Sequence, residues 1–161
     1  MPLDMKAEIG ALRKQYESDS RQQKFNCLIT SESGCGKTFL ARTCPFPVHI
    51  DSFDPGGTKG LRKWIDSGDI VVDTSYEHED PKKPTVYNKW RQDFKRRVEG
   101  GYFNHFATYM LDSATTWSDA IMNWILAKDG IAGTAPRYTK DYTPQKIEIQ
   151  NMLKLCLSLP C

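Results

Sequence analysis

The chain has 161 residues, of which 39% are hydrophobic, and its 22 basic and 20 acidic side chains give a formal net charge of +2. This length suits one α/β domain and excludes two full-sized ones. Dedicated nucleic-acid-binding proteins usually carry a much larger basic excess, so any basic face must be local. The charged N-terminus lacks the apolar core of a signal peptide, and no stretch approaches the roughly 18 apolar residues of a membrane span.

The cysteine pattern indicates a reducing compartment. The chain has five cysteines, which is an odd number, and they form no CxxC pair and lie beside no histidine at metal-ligand spacing. We therefore expect free thiols. Together with the lack of a signal or membrane segment, this predicts a cytoplasmic protein, in the host cell if the gene belongs to a phage, with no membrane partner.

The N-terminal third is predicted to hold a helix, a strand and a second helix. Residues 4–22 place apolar side chains close to a helical period, which predicts a helix packed on or near the core. We assign 1–22 to this helix and 23–161 to the main domain. Residues 25–30 are short, apolar and β-prone, which predicts a buried strand. A short helix follows over 38–44 and ends at Pro45.

Strands and helices alternate through the rest of the chain. The predicted strands are 48–51, 69–73 and 105–111, and the predicted helices lie around 61–65 and over 85–99, 116–128 and 145–157. The segment 77–84 is charged and contains two prolines, which is typical of an exposed loop. This alternation favours an α/β fold of three layers, in which a mostly parallel sheet is covered by helices on both faces.

A phosphate-binding loop is predicted between the strand at 25–30 and the helix that follows it. The pattern G-x-x-x-x-G-K-[ST] is matched over residues 31–38 everywhere except at the first glycine, which is Ser31. The nucleotide-binding residues are then Ser33, Gly34, Cys35, Gly36, Lys37 and Thr38. The two glycines allow backbone amides to approach phosphate oxygens, and Lys37 supplies a charge to the β and γ phosphates.

A magnesium site is predicted from the same loop and a distant acid. The Thr38 hydroxyl is the expected first ligand of Mg²⁺. The second is an aspartate at the end of an apolar strand beside the loop, and Asp112 ends the apolar run 106–111 in this way. The loop makes Asp112 the preferred magnesium acid, although an aspartate in such a position can also be an ordinary strand-end cap.

Three segments together resemble the AAA/RecA-like ATPases encoded by phages, including their single-strand annealing group. They are ITSESGCGKTFLA at 29–41, VHIDSFDPGG at 48–57 and YMLDSATTW at 109–117. The resemblance implies a P-loop ATPase of RecA-like fold that hydrolyses ATP with Mg²⁺ in phage-type DNA recombination or replication. It also implies single-stranded DNA as a partner and a homo-oligomer whose sites are completed by neighbouring subunits. No guanine-reading [NT]KxD segment is present, and ATP is the nucleotide that the family uses.

The catalytic base is left open by the sequence. In the family, the strand after the loop commonly ends in an aspartate followed two residues later by a glutamate, but Asp51 is followed by Phe53. Asp54 is the nearest substitute, although an Asx turn before Pro55 is an equally good interpretation of it. Glu77 or Glu79 could also reach in from the charged loop. Two rival classes therefore remain, a P-loop kinase and a nucleotide-binding module that does not hydrolyse.

Two further expectations concern DNA and strand order. The basic residues of 91–97, with aromatic residues between them, allow a groove for single-stranded nucleic acid, although the solvated face of an amphipathic helix is the more ordinary interpretation. The resemblance implies that a later strand separates the loop strand from the strand ending in Asp112. Because the sequence stops at Cys161, we expect a domain without its C-terminal strands, with a gap or a substitute pairing between 27–30 and 107–111.

Overall fold

Three parallel strands form the sheet of this protein. The computed structural model describes residues 4–18, 24–32 and 34–161. Within them β1 (Val48–Ser52) lies between β2 (Ile70–Asp73) and β3 (Thr108–Asp112). The register pairs Ser52 with Asp112, so the carboxyl ends of β1 and β3 lie side by side. The predicted α/β class with a parallel sheet is confirmed.

The helices follow the predicted order with small shifts at their ends. The α-helices are α1 (Met5–Ser18), α2 (Arg62–Asp66), α3 (Val86–Glu99), α4 (Ala114–Lys128) and α5 (Tyr142–Leu157), and 3₁₀ helices span Thr38–Thr43, Gly57–Leu61 and Tyr102–His105. Helix α4 begins earlier than predicted because the Ser113 side chain accepts a hydrogen bond from the Thr116 amide at 3.3 Å. Helix α5 includes Pro144 in its first turn, where a proline removes no helical hydrogen bond.

The two faces of the sheet pack against different hydrophobic clusters. On one face Val48 and Ile50 are fully buried with residues of the 3₁₀ helices and of β2. The larger cluster on the other face is rich in aromatic side chains from α3 and α4, and it also includes Met152 of α5. Successive side chains of a strand point to opposite faces, and on this second face β1 carries polar side chains, while Tyr109 and Leu111 of β3 pack against the cluster. Helical segments therefore cover both sides of the sheet.

Two predictions for the N-terminal third are wrong. Residues 25–30 form no strand, and Phe25 and Leu28 are 89% and 80% exposed. A strand needs a neighbour for its backbone hydrogen bonds, and this segment pairs with none in the described residues. Helix α1 forms, but none of its side chains is buried, so it is not packed on the core. Because 27–30 is not a strand, the expected gap or substitute pairing between it and β3 does not arise, and β3 pairs with β1 instead.

Candidate functional site

Two glycines of the loop after residue 30 have left-handed backbone conformations. Gly34 and Gly36 both have positive φ, at 80° and 83°, a region that side chains with a Cβ rarely adopt. Ser33 lies outside the described residues. The Lys37 amine turns back into the loop and donates to the carbonyl oxygens of Ser31 and Glu32, each at 2.8 Å. Both of these hydrogen bonds of the amine are exposed to solvent.

The helix that follows the loop is shorter than a typical phosphate-loop helix. Residues Thr38–Thr43 form a 3₁₀ helix of six residues, and of these only Ala41 is buried. A six-residue helix adds little dipole at its N-terminus, since the macrodipole sums over aligned peptide units. This helix would therefore add little to the binding of an anion, and the predicted phosphate site depends on the loop itself and on Lys37.

Thr38 and Asp112 meet at the carboxyl end of β3. The Thr38 hydroxyl donates to Asp112 Oδ2 at 2.5 Å, across 74 positions of sequence. Asp112 is 5% exposed, and burial raises the pKa of its carboxyl above the ordinary value. The charge of Asp54 raises that pKa further, while the Thr38 hydrogen bond and the Lys37 charge lower it. The two predicted magnesium ligands are therefore adjacent.

Asp54 is held beside this pair by hydroxyl groups. Its Oδ1 accepts from Ser113 at 3.1 Å and from Thr116, the residues that begin α4. A Cβ built on Gly57 would lie 3.5 Å from the Asp54 side chain and 4.0 Å from both Thr38 Oγ1 and Asp112 Oδ2. All three side chains therefore surround Gly57. The sequence did not indicate Ser113 and Thr116 as partners of Asp54, although their spacing after Asp112 is that of a helix cap.

The two glutamates of the charged loop have different positions. Glu77 reaches the carboxyl end of β1, where it accepts from Ser52 Oγ at 2.7 Å and from the Gly56 amide at 3.2 Å. Glu79 accepts from the amides of Thr85 and Val86 and so caps the start of α3. Burial raises the pKa of Glu79. Of the two, only Glu77 lies at the sheet edge that carries the site.

Phe53 belongs to the core rather than to the site. It is fully buried, and its ring stacks on Tyr76 with centroids 5.5 Å apart and meets Trp90 edge-on at 6.0 Å. The position at which the resemblance expects a catalytic glutamate therefore has no access to the loop. Among the described residues no group of three or more His, Cys, Asp or Glu side chains could hold a metal ion. A magnesium ion would depend on Thr38, Asp112 and ligands supplied by the nucleotide and water.

A buried polar cluster lies on the α3 face of β1, next to the site. Asp51 is fully buried and accepts four hydrogen bonds, from His49 at 2.9 Å, Arg97 at 2.9 Å, Trp90 at 2.8 Å and Tyr109 at 2.8 Å. Arg97 also pairs with Asp73 of β2. Every carboxylate oxygen of Asp51 is thus occupied, which makes it a structural residue. The alternation of polar His49 and Asp51 within an apolar strand was the sequence signal for this cluster.

Helix α3 does not present a base-stacking groove. Trp90 and Phe94 are buried in the aromatic cluster, so they cannot stack on nucleic-acid bases. Arg97 is committed to Asp51 and Asp73, and Arg96 pairs with Asp93 one turn away. The ordinary interpretation of this basic run, a solvated helix face with one structural arginine, fits the structure.

The described residues include no helix long and apolar enough to cross a membrane. No protein-family model matches the chain, and comparisons with curated proteins and with solved structures give no match either.

Proposed function

We propose that this protein binds ATP with Mg²⁺ and hydrolyses it, using Lys37, Thr38 and Asp112. The observation that carries the proposal is the contact between the Thr38 hydroxyl and Asp112 at 2.5 Å. A hydroxyl and a carboxylate oxygen are the kind of hard ligands that Mg²⁺ prefers. These two residues are the pair that a P-loop ATPase uses for this purpose, and the fold brings them together from distant parts of the sequence.

Each part of the loop has a separate task in nucleotide binding. The backbone amides of 34–36 would face the phosphates, because Gly34 and Gly36 permit the required turn. Lys37 exchanges its contacts with Ser31 and Glu32 for the β and γ phosphates, which costs little because those contacts are exposed. A bound Mg²⁺ would neutralise charge on the same phosphates, and Thr38 and Asp112 are the residues that would hold it.

Asp54 is the residue that we assign to activation of the attacking water. Its Oδ1 is fixed by Ser113 and Thr116, and its Oδ2 accepts no hydrogen bond from the described side chains. A carboxylate with one oxygen anchored and the other free is suited to orient water. Glu77 is the competing candidate, but Ser52 and Gly56 occupy both of its oxygens.

A nucleotide-binding module without hydrolysis is the second candidate. The buried ring of Phe53 favours it, because the position of the family's catalytic glutamate has lost its acid. The two candidates share the loop and the magnesium pair, and they differ only in turnover. A P-loop kinase would differ from both by transferring phosphate to a small molecule.

The finer fold that we propose is RecA-like, with a role in phage-type DNA recombination or replication. Its support is the strand order, in which β1, the first strand after the loop, lies next to β3, whose last residue is Asp112. Single-stranded DNA and a homo-oligomer remain partners implied by the resemblance.

The test is ATP turnover by the purified chain, measured with Mg²⁺ and with or without single-stranded DNA. We expect phosphate release that depends on Mg²⁺, that DNA stimulates, and that Asp54→Asn reduces without loss of ATP binding. Asp66→Asn, which changes an exposed acid of α2, is the matched control. Tight ATP binding without phosphate release would favour the second candidate. Absence of ATP binding would contradict both.

A further inference from the structure

Helix α1 carries an apolar stripe that the rest of the described chain leaves uncovered. Met5, Ile9, Leu12 and Tyr16 are 67%, 49%, 58% and 62% exposed. No side chain of α1 is buried. Exposing four large apolar side chains on one face of a short helix to water is unfavourable in free energy, and a soluble protein usually covers such a face with another surface.

The spacing of the stripe is that of a coiled coil. The four residues are separated by four, three and four positions, the alternating spacing of a heptad repeat, and they correspond to heptad positions d, a, d and a. A depression on the helix surface is lined by Ile9, Leu12, Arg13, Tyr16 and Glu17. A hole of this kind receives an apolar side chain of a facing helix in coiled-coil packing.

The charged residues beside the stripe favour a second copy of α1 as the partner and a parallel arrangement of the two helices. In this heptad register Glu8 occupies position g, and Arg13, five residues later, occupies the next position e. Residues at g and the following e of two parallel helices face each other, so Glu8 of one copy meets Arg13 of another twice in a symmetric dimer. An antiparallel pair would instead bring the two e positions, Lys6 and Arg13, together. Of these two arrangements of a second copy, only the parallel one brings opposite charges together.

We propose that α1 is a self-association helix, through which two copies of this chain pair in parallel along Met5, Ile9, Leu12 and Tyr16. A 14-residue helix that contains Gly10 is only marginally stable alone, so pairing and helix formation are coupled. This surface is separate from the nucleotide site. It would bring two ATPase domains close together whether or not the domains touch.

The test is sedimentation equilibrium of the full chain over a range of protein concentrations, without nucleotide. We expect a monomer–dimer equilibrium that Leu12→Lys abolishes. Lys14→Glu, on the opposite face of α1, is the control and leaves the equilibrium unchanged within about twofold. A protein that is monomeric throughout the range, or a dimer unaffected by Leu12→Lys, would overturn the proposal.

Charge variants test the direction of pairing. Glu8→Arg and Arg13→Glu each place like charges opposite each other twice, and each should weaken the dimer about tenfold. A mixture of the two variants restores attraction at both contacts, so heterodimers should exceed the statistical share. Urea unfolding of each variant checks that the rest of the chain remains folded. A mixture that shows no preference for heterodimers would refute the parallel arrangement and with it the proposal.

Discussion

Replacing Arg97 by methionine removes the cation that neutralises a fully buried carboxylate. Arg97 donates to Asp51 at 2.9 Å, and the exposed fractions of the two side chains are 16% and 0%. Removing one partner of a buried ion pair costs about 3 to 5 kcal/mol in the free energy of unfolding. Asp51 keeps its bonds from Trp90, Tyr109 and His49, so the lower part of that range applies.

The contact of Arg97 with Asp73 adds a smaller amount to the free energy of unfolding. Its bond to Asp73 is partly exposed, and such pairs contribute about 1 kcal/mol at most. We therefore expect Arg97→Met to destabilise the chain by about 3 to 4 kcal/mol, a large part of the about 5 to 15 kcal/mol that holds a domain folded. Because Arg97 and Asp51 are coupled, the double variant with Asp51→Asn should lose at least about 1 kcal/mol less than the sum of the single variants.

Urea unfolding followed by circular dichroism measures these differences. The matched control is Arg96→Met, which changes the neighbouring arginine, whose side chain is 74% exposed and pairs with the nearby Asp93. We expect a change within about 0.5 kcal/mol for this control. If Arg97→Met were no more destabilising than Arg96→Met, or if the double-variant losses were additive, Asp51 would not be the structural centre that the hydrogen bonds indicate.

Three further predictions concern the acids and thiols. Asp112→Asn should reduce Mg²⁺-dependent turnover more than ATP binding, and equal turnover would remove Asp112 from the site. Because burial raises the pKa of Asp112, the free folded protein binds its proton more tightly than the unfolded chain does, so stability without Mg²⁺ should fall as pH rises from 3.8 through the raised pKa. Asp112→Asn should make this fall in stability smaller in pH-dependent urea unfolding, and an unchanged fall would refute the assignment. ATP with Mg²⁺ should slow alkylation of exposed Cys35 but not of exposed Cys27, as read by mass spectrometry of the two peptides. Equal rates with and without nucleotide would argue that the loop does not enclose phosphate.

The local sequence pattern predicted β1, β2 and β3 correctly, but it wrongly predicted a strand at 25–30. β1, β2 and β3 are short apolar runs that each find a neighbour, and all three were predicted from their residues. Residues 25–30 have the same local character, but a strand exists only where backbone groups on another segment can pair with it. Which segments supply that pairing is a property of the whole fold. The error at 25–30 therefore could not be avoided from propensity.

In the candidate site, too, the sequence predicted some contacts and missed others. The pairing of Thr38 with Asp112 was predicted because the phosphate-loop pattern specifies both the ligand type and its place at a strand end. The partners of Asp54 were missed, since Ser113 and Thr116 come from a different segment, 59 and 62 positions further along. The role of Asp51 was missed for a similar reason. Trp90, Arg97 and Tyr109 approach it only when α3 and β3 pack on β1.

ATP affinity in the presence of Mg²⁺, measured by isothermal titration calorimetry on the parent and on Lys37→Ala, tests the central claim most directly. Among the described residues, the Lys37 amine donates to the loop carbonyls of Ser31 and Glu32 and to the Ser31 hydroxyl, all of which are exposed, so its removal should leave the unfolding free energy within about 0.5 kcal/mol of the parent. Lys146→Ala, an exposed lysine of α5, is the control. We predict that ATP affinity falls at least about tenfold for Lys37→Ala and is unchanged for Lys146→Ala, because a charged hydrogen bond to phosphate contributes about 1.5 to 3 kcal/mol. Equal ATP affinity in Lys37→Ala and the parent would contradict the assignment of this loop as a nucleotide site.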